Sequence, residues 1–425
     1  MKRYRTPLVS GLVLFLGLIA INMAALYFQQ RPITTYVPPM KQSPAKHGQL
    51  VQIVSTQALS AEQAMAEARQ NYGPMIAASP AVTRTELVFG LLDKDGREAD
   101  VHARAYVPAM PISAVIVLAP GTTGIGDQCA PSVEQPSVHN WANYQSHALA
   151  YAARGFMVVV PDYEGHRDPA RIHHYMSGEL EGRAVLDSIS ASRQIPEASV
   201  LSAATPNFVT GYSQGGHSAF WADKINATYS PGTKIAGVIG WGPVMDVQET
   251  LADVTQGANI NWFGPYVLYS YQNLYGTNYH IDRILQPRWV YGLNTDVTSH
   301  CIDSDIAYWG THPDNVYTPD FLNNLRKANL PEALYGKLGQ QLAANVADDA
   351  TTATPKLINA GEQDNVVLPR QQAAAKIQLC QHSRGPVRVT LYPETTHYNA
   401  MVHSFEDSIV WMQQIMAGQT PAGNC

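Results

Sequence analysis

The sequence has little that would suit a nucleic-acid partner or a metal centre. It has no basic stripe and no long run of one sign. Its 28 Lys and Arg stand against 34 Asp and Glu, a net charge of -6 over 425 residues, so nucleic acid is not an expected partner. Cysteine is scarce: Cys129, Cys301, Cys380 and Cys425 are widely spaced, with no C-x-x-C pair, which excludes the usual zinc spacings. Nothing repeats at a fixed period and no segment is low in complexity, which sets aside solenoids and long flexible linkers. Only 15% of residues are charged whereas 45% are hydrophobic, so the chain can bury one large core with insertions, or two.

What is present begins at the N-terminus. Lys2, Arg3 and Arg5 precede 22 uncharged residues from Pro7 to Phe28, about 33 Å as a helix, enough to cross a bilayer core. A cleaved signal peptide has a shorter apolar region and an A-x-A-like site. The candidate Asn22-Met23-Ala24-Ala25 lacks the small residue three before the cut. Residues 1–30 therefore read as a signal anchor in preference to a signal peptide, although Arg31, Lys41 and Lys46 dilute the charge asymmetry that would orient it. An even cysteine count suits two disulfides in an oxidising compartment, with four separate buried thiols as the alternative. Together these features place the body of the protein in the periplasm or outside the cell, tethered to a membrane or released after cleavage.

Residues 31–58, rich in Pro and Gln, read as a stalk. A short helix is expected over 60–72 with Ser60 as its N-cap. Strands over 84–92 and 98–107 follow, joined by the turn Lys94-Asp95-Gly96-Arg97. Then strand-like and helix-like text alternate. Strands are expected at 113–120, 156–161, 207–212, 235–242, 355–361 and 387–392. Helices are expected at 138–154, 179–193, from Gln214, at 369–380 and at 402–416. The strands are continuous apolar, β-branched runs, as strands buried on both faces should be. The pattern predicts a mostly parallel sheet with helices on both faces. It is interrupted at 243–354, an aromatic-rich insertion that reads as a mainly helical cap between two parts of one core, 59–242 and 355–425.

The chemistry centres on Gly211-Tyr212-Ser213-Gln214-Gly215. A G-x-S-x-G occurs by chance in roughly one chain in seven of this length, so alone it says little. Here it follows a buried strand and opens a helix, the setting in which a sharp turn presents a serine nucleophile. A serine hydroxyl needs a base beside it, and the base needs an acid to hold it. In the strand-turn-helix arrangement these follow in the order Ser, acid, His, on loops after late strands. Asp364 follows the strand at 355–361, and His397 follows the strand at 387–392. Glu362 is the rival acid, and His403, inside helical text, the rival base. The oxyanion formed on attack needs backbone N–H donors. The Gln214 amide should be one. The loop Gly121-Thr122-Thr123-Gly124 should supply the other, Thr122 first and Thr123 next.

These residues resemble the secretory lipase family of α/β-hydrolases, the lipase A-like enzymes. The likeness spans roughly residues 80–420. It includes the Gly-Thr-Thr-Gly loop leading into Cys129-Ala130-Pro131-Ser132, Val160 to Gly165, His174-Tyr175 through Leu186-Asp187, the elbow with Gly216, and the Asp364 and His397 loops. The chain departs from the pattern at Ala119-Pro120-Gly121, where many relatives carry His before the Gly. The resemblance implies the α/β-hydrolase fold with an inserted cap, hydrolysis of carboxylic or acylglycerol esters, and disulfides Cys129–Cys301 and Cys380–Cys425. A small-molecule or lipid ester is thus the expected partner, and no metal or organic cofactor is implied. A peptidase or polyester hydrolase on the same fold, and a membrane-tethered binding protein without activity, are the alternatives.

Other residues read as structural. Trp262, Phe263, Tyr266, Tyr269, Tyr271, Tyr275 and Tyr279 could line an acyl pocket, but any single one is more simply the insertion's own core. His173-His174 has no carboxylate cluster to make a metal site. His217 is expected to pack, and Asp162 to hydrogen-bond the elbow or nearby loops.

Overall fold

In a computed structural model, which describes residues 47–256 and 260–425, the apolar runs become the centre of a nine-stranded sheet. Its strands are β1 (Leu50–Leu59), β2 (Val82–Leu92), β3 (Glu98–Pro108), β4 (Ala114–Ala119), β5 (Phe156–Pro161), β6 (Asn207–Tyr212), β7 (Ile235–Trp241), β8 (Lys356–Gly361) and β9 (Val387–Tyr392), in the order β1-β2-β3-β5-β4-β6-β7-β8-β9. The first three pair antiparallel, and β3 joins β5 antiparallel. From β5 to β9 all pairs are parallel. The chain steps outward from β4 in both directions, to β5 on one side and β6 on the other. That is the topological switch point where open α/β sheets bind ligands, beyond the C-terminal strand ends.

Among the described residues the helices of eight or more residues are α1 (Ala61–Tyr72), α2 (Tyr144–Ala152), α3 (Gly178–Ser192), α4 (Gln214–Tyr229), α5 (Val247–Val254), α6 (Phe263–Tyr275), α7 (Ile302–Trp309), α8 (Pro319–Arg326), α9 (Pro369–His382) and α10 (Phe405–Met416). Alternate side chains of each central strand serve opposite faces. Val115, Val117, Val159 and Val209 pack with α3 and α4, and Ile116, Leu118, Val158 and Phe208 with α1, α2 and α10. Each such side chain contributes about 1.5–3 kcal/mol by leaving water. Between β7 and β8 the chain leaves the sheet for α5–α8 and several shorter helices. These enclose a third core in which Tyr266, Tyr271, Tyr279, Trp309 and Tyr317 are fully buried.

Three boundaries differ from the sequence reading. Residues 50–58, read as stalk, belong to β1, which runs along β2 from Leu50 opposite Phe89 to Leu59 opposite Val82. Most of its side chains are exposed, so its place depends on backbone pairing and leaves no apolar alternation to read. The helix expected over 138–154 starts only at Tyr144. The buried Glu134 carboxylate accepts the backbone N–H groups of Trp141, Ala142, Asn143 and Tyr144, holding the preceding turn out of helical geometry. The helix expected over 402–416 is divided at Ser404 into Ala400–His403 and α10. Ser60 caps α1 as expected, accepting from the Gln63 amide.

The apolar segment Pro7–Phe28 and residues 31–46 lie outside the described residues. Among the described residues no helix is long and apolar enough to cross a membrane. Two disulfides are present, Cys129–Cys301 and Cys380–Cys425, the pairing that the family resemblance implies. Next to the second, Asn424 lies along the outer edge of β9. Its N–H donates to Val387 O, and its side-chain amide both accepts from Val389 N–H and donates to Val389 O.

Candidate active site

The strand order brings the C-terminal ends of β4, β6, β7 and β8 side by side, and four chain segments meet there. At the end of β6, Ser213 has φ +55° and ψ -115°, a conformation costly for a residue with a Cβ. Its surroundings impose it. Ser213 N–H donates to Trp241 O at 2.9 Å, and its carbonyl accepts from Gly216, His217 and Val244 at 3.0, 3.2 and 3.2 Å. The flanking glycines are steric requirements. A Cβ on Gly211 would lie 1.9 Å from Gly215 O, one on Gly215 1.9 Å from Ala119 O, and one on Gly216 2.5 Å from Pro243 Cβ. Because the peptide is planar, fixing the Ser213 carbonyl also fixes the Gln214 N–H on its opposite side. That N–H is the first of α4 and has no intrahelical partner.

The Gln214 side chain is anchored separately. Its Nε2 donates to Glu181 Oε1 at 2.7 Å and to His173 Nε2 at 2.8 Å. Burial pushes the His173 pKa well down, keeping the ring neutral and able to accept. Glu181, buried in α3, also faces His217 Nδ1 at 3.1 Å, while His217 Nε2 meets Asn345 O at 2.8 Å. His217 is therefore a buried packing residue, as expected. Asp162 accepts from Ser132 N–H and Oγ, so it ties loops together. His174 Nδ1 meets Glu164 at 2.7 Å.

Beyond β8 and β9, His397 Nδ1 and Asp364 Oδ2 lie 2.7 Å apart, both buried. The other carboxylate oxygen accepts from Val366 and Val367 N–H, each at 2.9 Å. The acid is therefore fixed by its own turn, and Nε2 of His397 is left as the ring's other nitrogen. Glu362 points to solvent, and His403 bonds Thr395 Oγ1 at 2.7 Å, so neither rival meets the pair. Ser213 and His397 line the same cavity, and no hydrogen bond joins them in this structure. Gly242, which sequence reasoning missed, lies beneath the pair at φ +50°. A Cβ there would come within 2.9 Å of His397 Nδ1 and 3.0 Å of Asp364 Oδ2. Only its place just after a strand hints at this.

The loop after β4 completes the floor. Gly121 N–H is occupied by Tyr144 OH at 2.7 Å. Thr122 lines the cavity with its Oγ1 2.7 Å from Tyr175 OH, whereas Thr123 is buried. The cavity, about 240 Å³, is walled by Trp141, Tyr212, Ile260, Trp262, Ile302, Asp303, Ile306, Val366 and Tyr398. Of the seven aromatics singled out in the insertion, only Trp262 lines it. Tyr266, Tyr271 and Tyr279 are core.

The chain is similar to several known proteins. A secreted triacylglycerol lipase of Malassezia globosa is 24% identical over 309 residues, 70% of this chain, and the chain spans 65% of that protein's length. Lipase A of Candida antarctica in its closed state superposes with a TM-score of 0.66 at 18% identity, covering 90% of this chain and 85% of the other. The rice cell wall degrading esterase LipA of Xanthomonas oryzae gives 0.70 at 17%, covering 88% and 100%. At such identities the solved structures establish the α/β-hydrolase fold. Residues 145–424 match the model described as secretory lipase, and the chain belongs to that family.

Proposed function

We propose that this protein is an exported carboxylic ester hydrolase that works through an acyl-enzyme on Ser213. The observation that carries the reading is the meeting, at one cavity, of a serine on a strained elbow with a histidine held by a buried carboxylate. In the reaction His397 Nε2 takes the Ser213 proton as Oγ attacks the ester carbonyl. Asp364 keeps the ring in the tautomer that exposes Nε2 and stabilises the imidazolium. The carbonyl oxygen becomes an oxyanion that accepts from the Gln214 and Thr122 amides, each such donor lowering the barrier by about 3–4 kcal/mol. His397 then gives its proton to the leaving alcohol. Water, deprotonated by the same ring, releases the acid and restores Ser213. Residues 243–354 act as the cap over this site. The two disulfides support folding in an oxidising compartment, and residues 1–30 serve as anchor or signal for export.

Hydrolysis of p-nitrophenyl butyrate by residues 31–425 tests the reading. Ser213→Ala should lower kcat by at least about 10⁴-fold and abolish fluorophosphonate labelling, with the thermal midpoint nearly unchanged. Turnover near wild type would remove Ser213 as nucleophile. Labelling without turnover of any ester would point to a peptidase.

A further inference from the structure

One wall of the cavity comes from the insertion. Ile302, Asp303 and Ile306 project into it from α7. That helix is bound to the loop carrying Thr122 by bonds of three kinds. Cys301, one residue before α7, is disulfide-linked to Cys129. Ile302 N–H donates to Thr123 O at 3.0 Å, one residue from the oxyanion donor. Asp303 pairs with His139 Nδ1 at 2.7 Å and accepts from Trp141 Nε1 at 3.3 Å. Gln128 adds a bond to Thr298 O at 2.7 Å. Behind the helix, buried Asp305 and Trp309 dock against Tyr266 and Trp289.

From this we infer that α7 is a fixed wall, so that the cavity keeps its size through turnover and the enzyme takes short-acyl, water-soluble esters in preference to long-chain acylglycerols at an interface. The inference rests on the ester-hydrolase reading. At about 240 Å³ the cavity is smaller than the roughly 300–1,000 Å³ of pockets that enclose drug-sized ligands. Each methylene buried in it raises kcat/KM by up to about fourfold (0.8 kcal/mol). Methylenes past its limit stay in water and contribute nothing, while the side chains at the mouth obstruct them. Movement of α7 to admit more would strain a covalent bond and shift the backbone beside the oxyanion donor.

The experiment is a series of p-nitrophenyl esters from two to sixteen acyl carbons, with tributyrin measured below and above its solubility limit. The wild type should peak between four and eight carbons, fall at least tenfold by sixteen, and show no jump in rate when tributyrin forms droplets. Ile306, 46% exposed on the rim, can be shortened without disturbing a core. Ile306→Ala should move the optimum at least two carbons longer, and Trp262→Ala, at another lining residue, should do the same. Ser213-dependent hydrolysis that peaks at twelve carbons or more, or that jumps at droplet formation, overturns the fixed wall and leaves the ester reading standing. An optimum unmoved in both variants overturns the assignment of these walls. Absence of Ser213-dependent turnover on every ester overturns both readings.

Discussion

Four glycines govern the geometry of the proposed catalytic groups, and each does so by what it lacks. Gly211, Gly215 and Gly216 let backbone pass backbone at the elbow, and Gly242 leaves room for the His397–Asp364 pair. The last makes a sharp test, because it touches no substrate. Gly242→Ala puts a methyl group against Nδ1 and Oδ2 at a positive φ, displacing the ring by a fraction of an ångström. A misplacement of about 1 Å costs about 10²-fold in rate, and a smaller one costs part of that. Steady-state kinetics should show kcat reduced between about 10-fold and 100-fold with KM within about threefold. A kcat within threefold of wild type would mean that the pair relaxes without losing its alignment. Ser213, Asp364 and His397 could be singled out as candidates in the sequence because Ser213 directly follows a strand and the other two lie three and five residues past the ends of later strands. Gly242 could not, since its role is a contact with Asp364 and His397, far along the chain, and neither could Glu134, whose bonds to the amides of residues 141–144 follow no helix or strand period.

At the level of elements, the strands buried on both faces could be read residue by residue, whereas β1 could not, its side chains being mostly in water. Helix α7 had no signal that it would wall the cavity, because its place is set by the disulfide and by Asp303. Its Asp305 provides a test of how the helix is held. Burial between Tyr266 and Trp309 pushes this carboxyl up to about 7. The folded protein then keeps a proton that the unfolded chain, titrating near 3.8, gives up. Asp305 therefore contributes its full stability below about pH 4, and loses it as pH rises towards 7, by up to about 1.4 kcal/mol per pH unit. Asp305→Asn is neutral throughout and should remove that slope. Urea midpoints at pH 4.5 and 8 should show the variant gaining on the wild type by the higher pH. A difference independent of pH would refute the shift.

Over the whole molecule, one switch point in the sheet gathers the proposed nucleophile, acid, base and oxyanion loop from segments spread between residues 121 and 397. The alternation of apolar strands with helices made this arrangement legible, and the family resemblance supplied the disulfide pairing. The cavity's size was not legible, because it depends on how the insertion's helices pack. The cross-links close loops of 172 and 45 residues, worth about 5 and about 4 kcal/mol by chain entropy. Paired Cys→Ala variants should lose stability in that order in denaturant titrations, and losses below about 1 kcal/mol would mean that the unfolded chain is not the state constrained. The smaller loop has a consequence besides stability. An uncovered strand edge is a template for the backbone of another chain. Asn424 occupies that edge on β9 with its own N–H and its side-chain amide, and Cys425 keeps it there. Opening this bond in a reducing medium would remove that tether and leave the Val387 and Val389 backbone groups open to another partner.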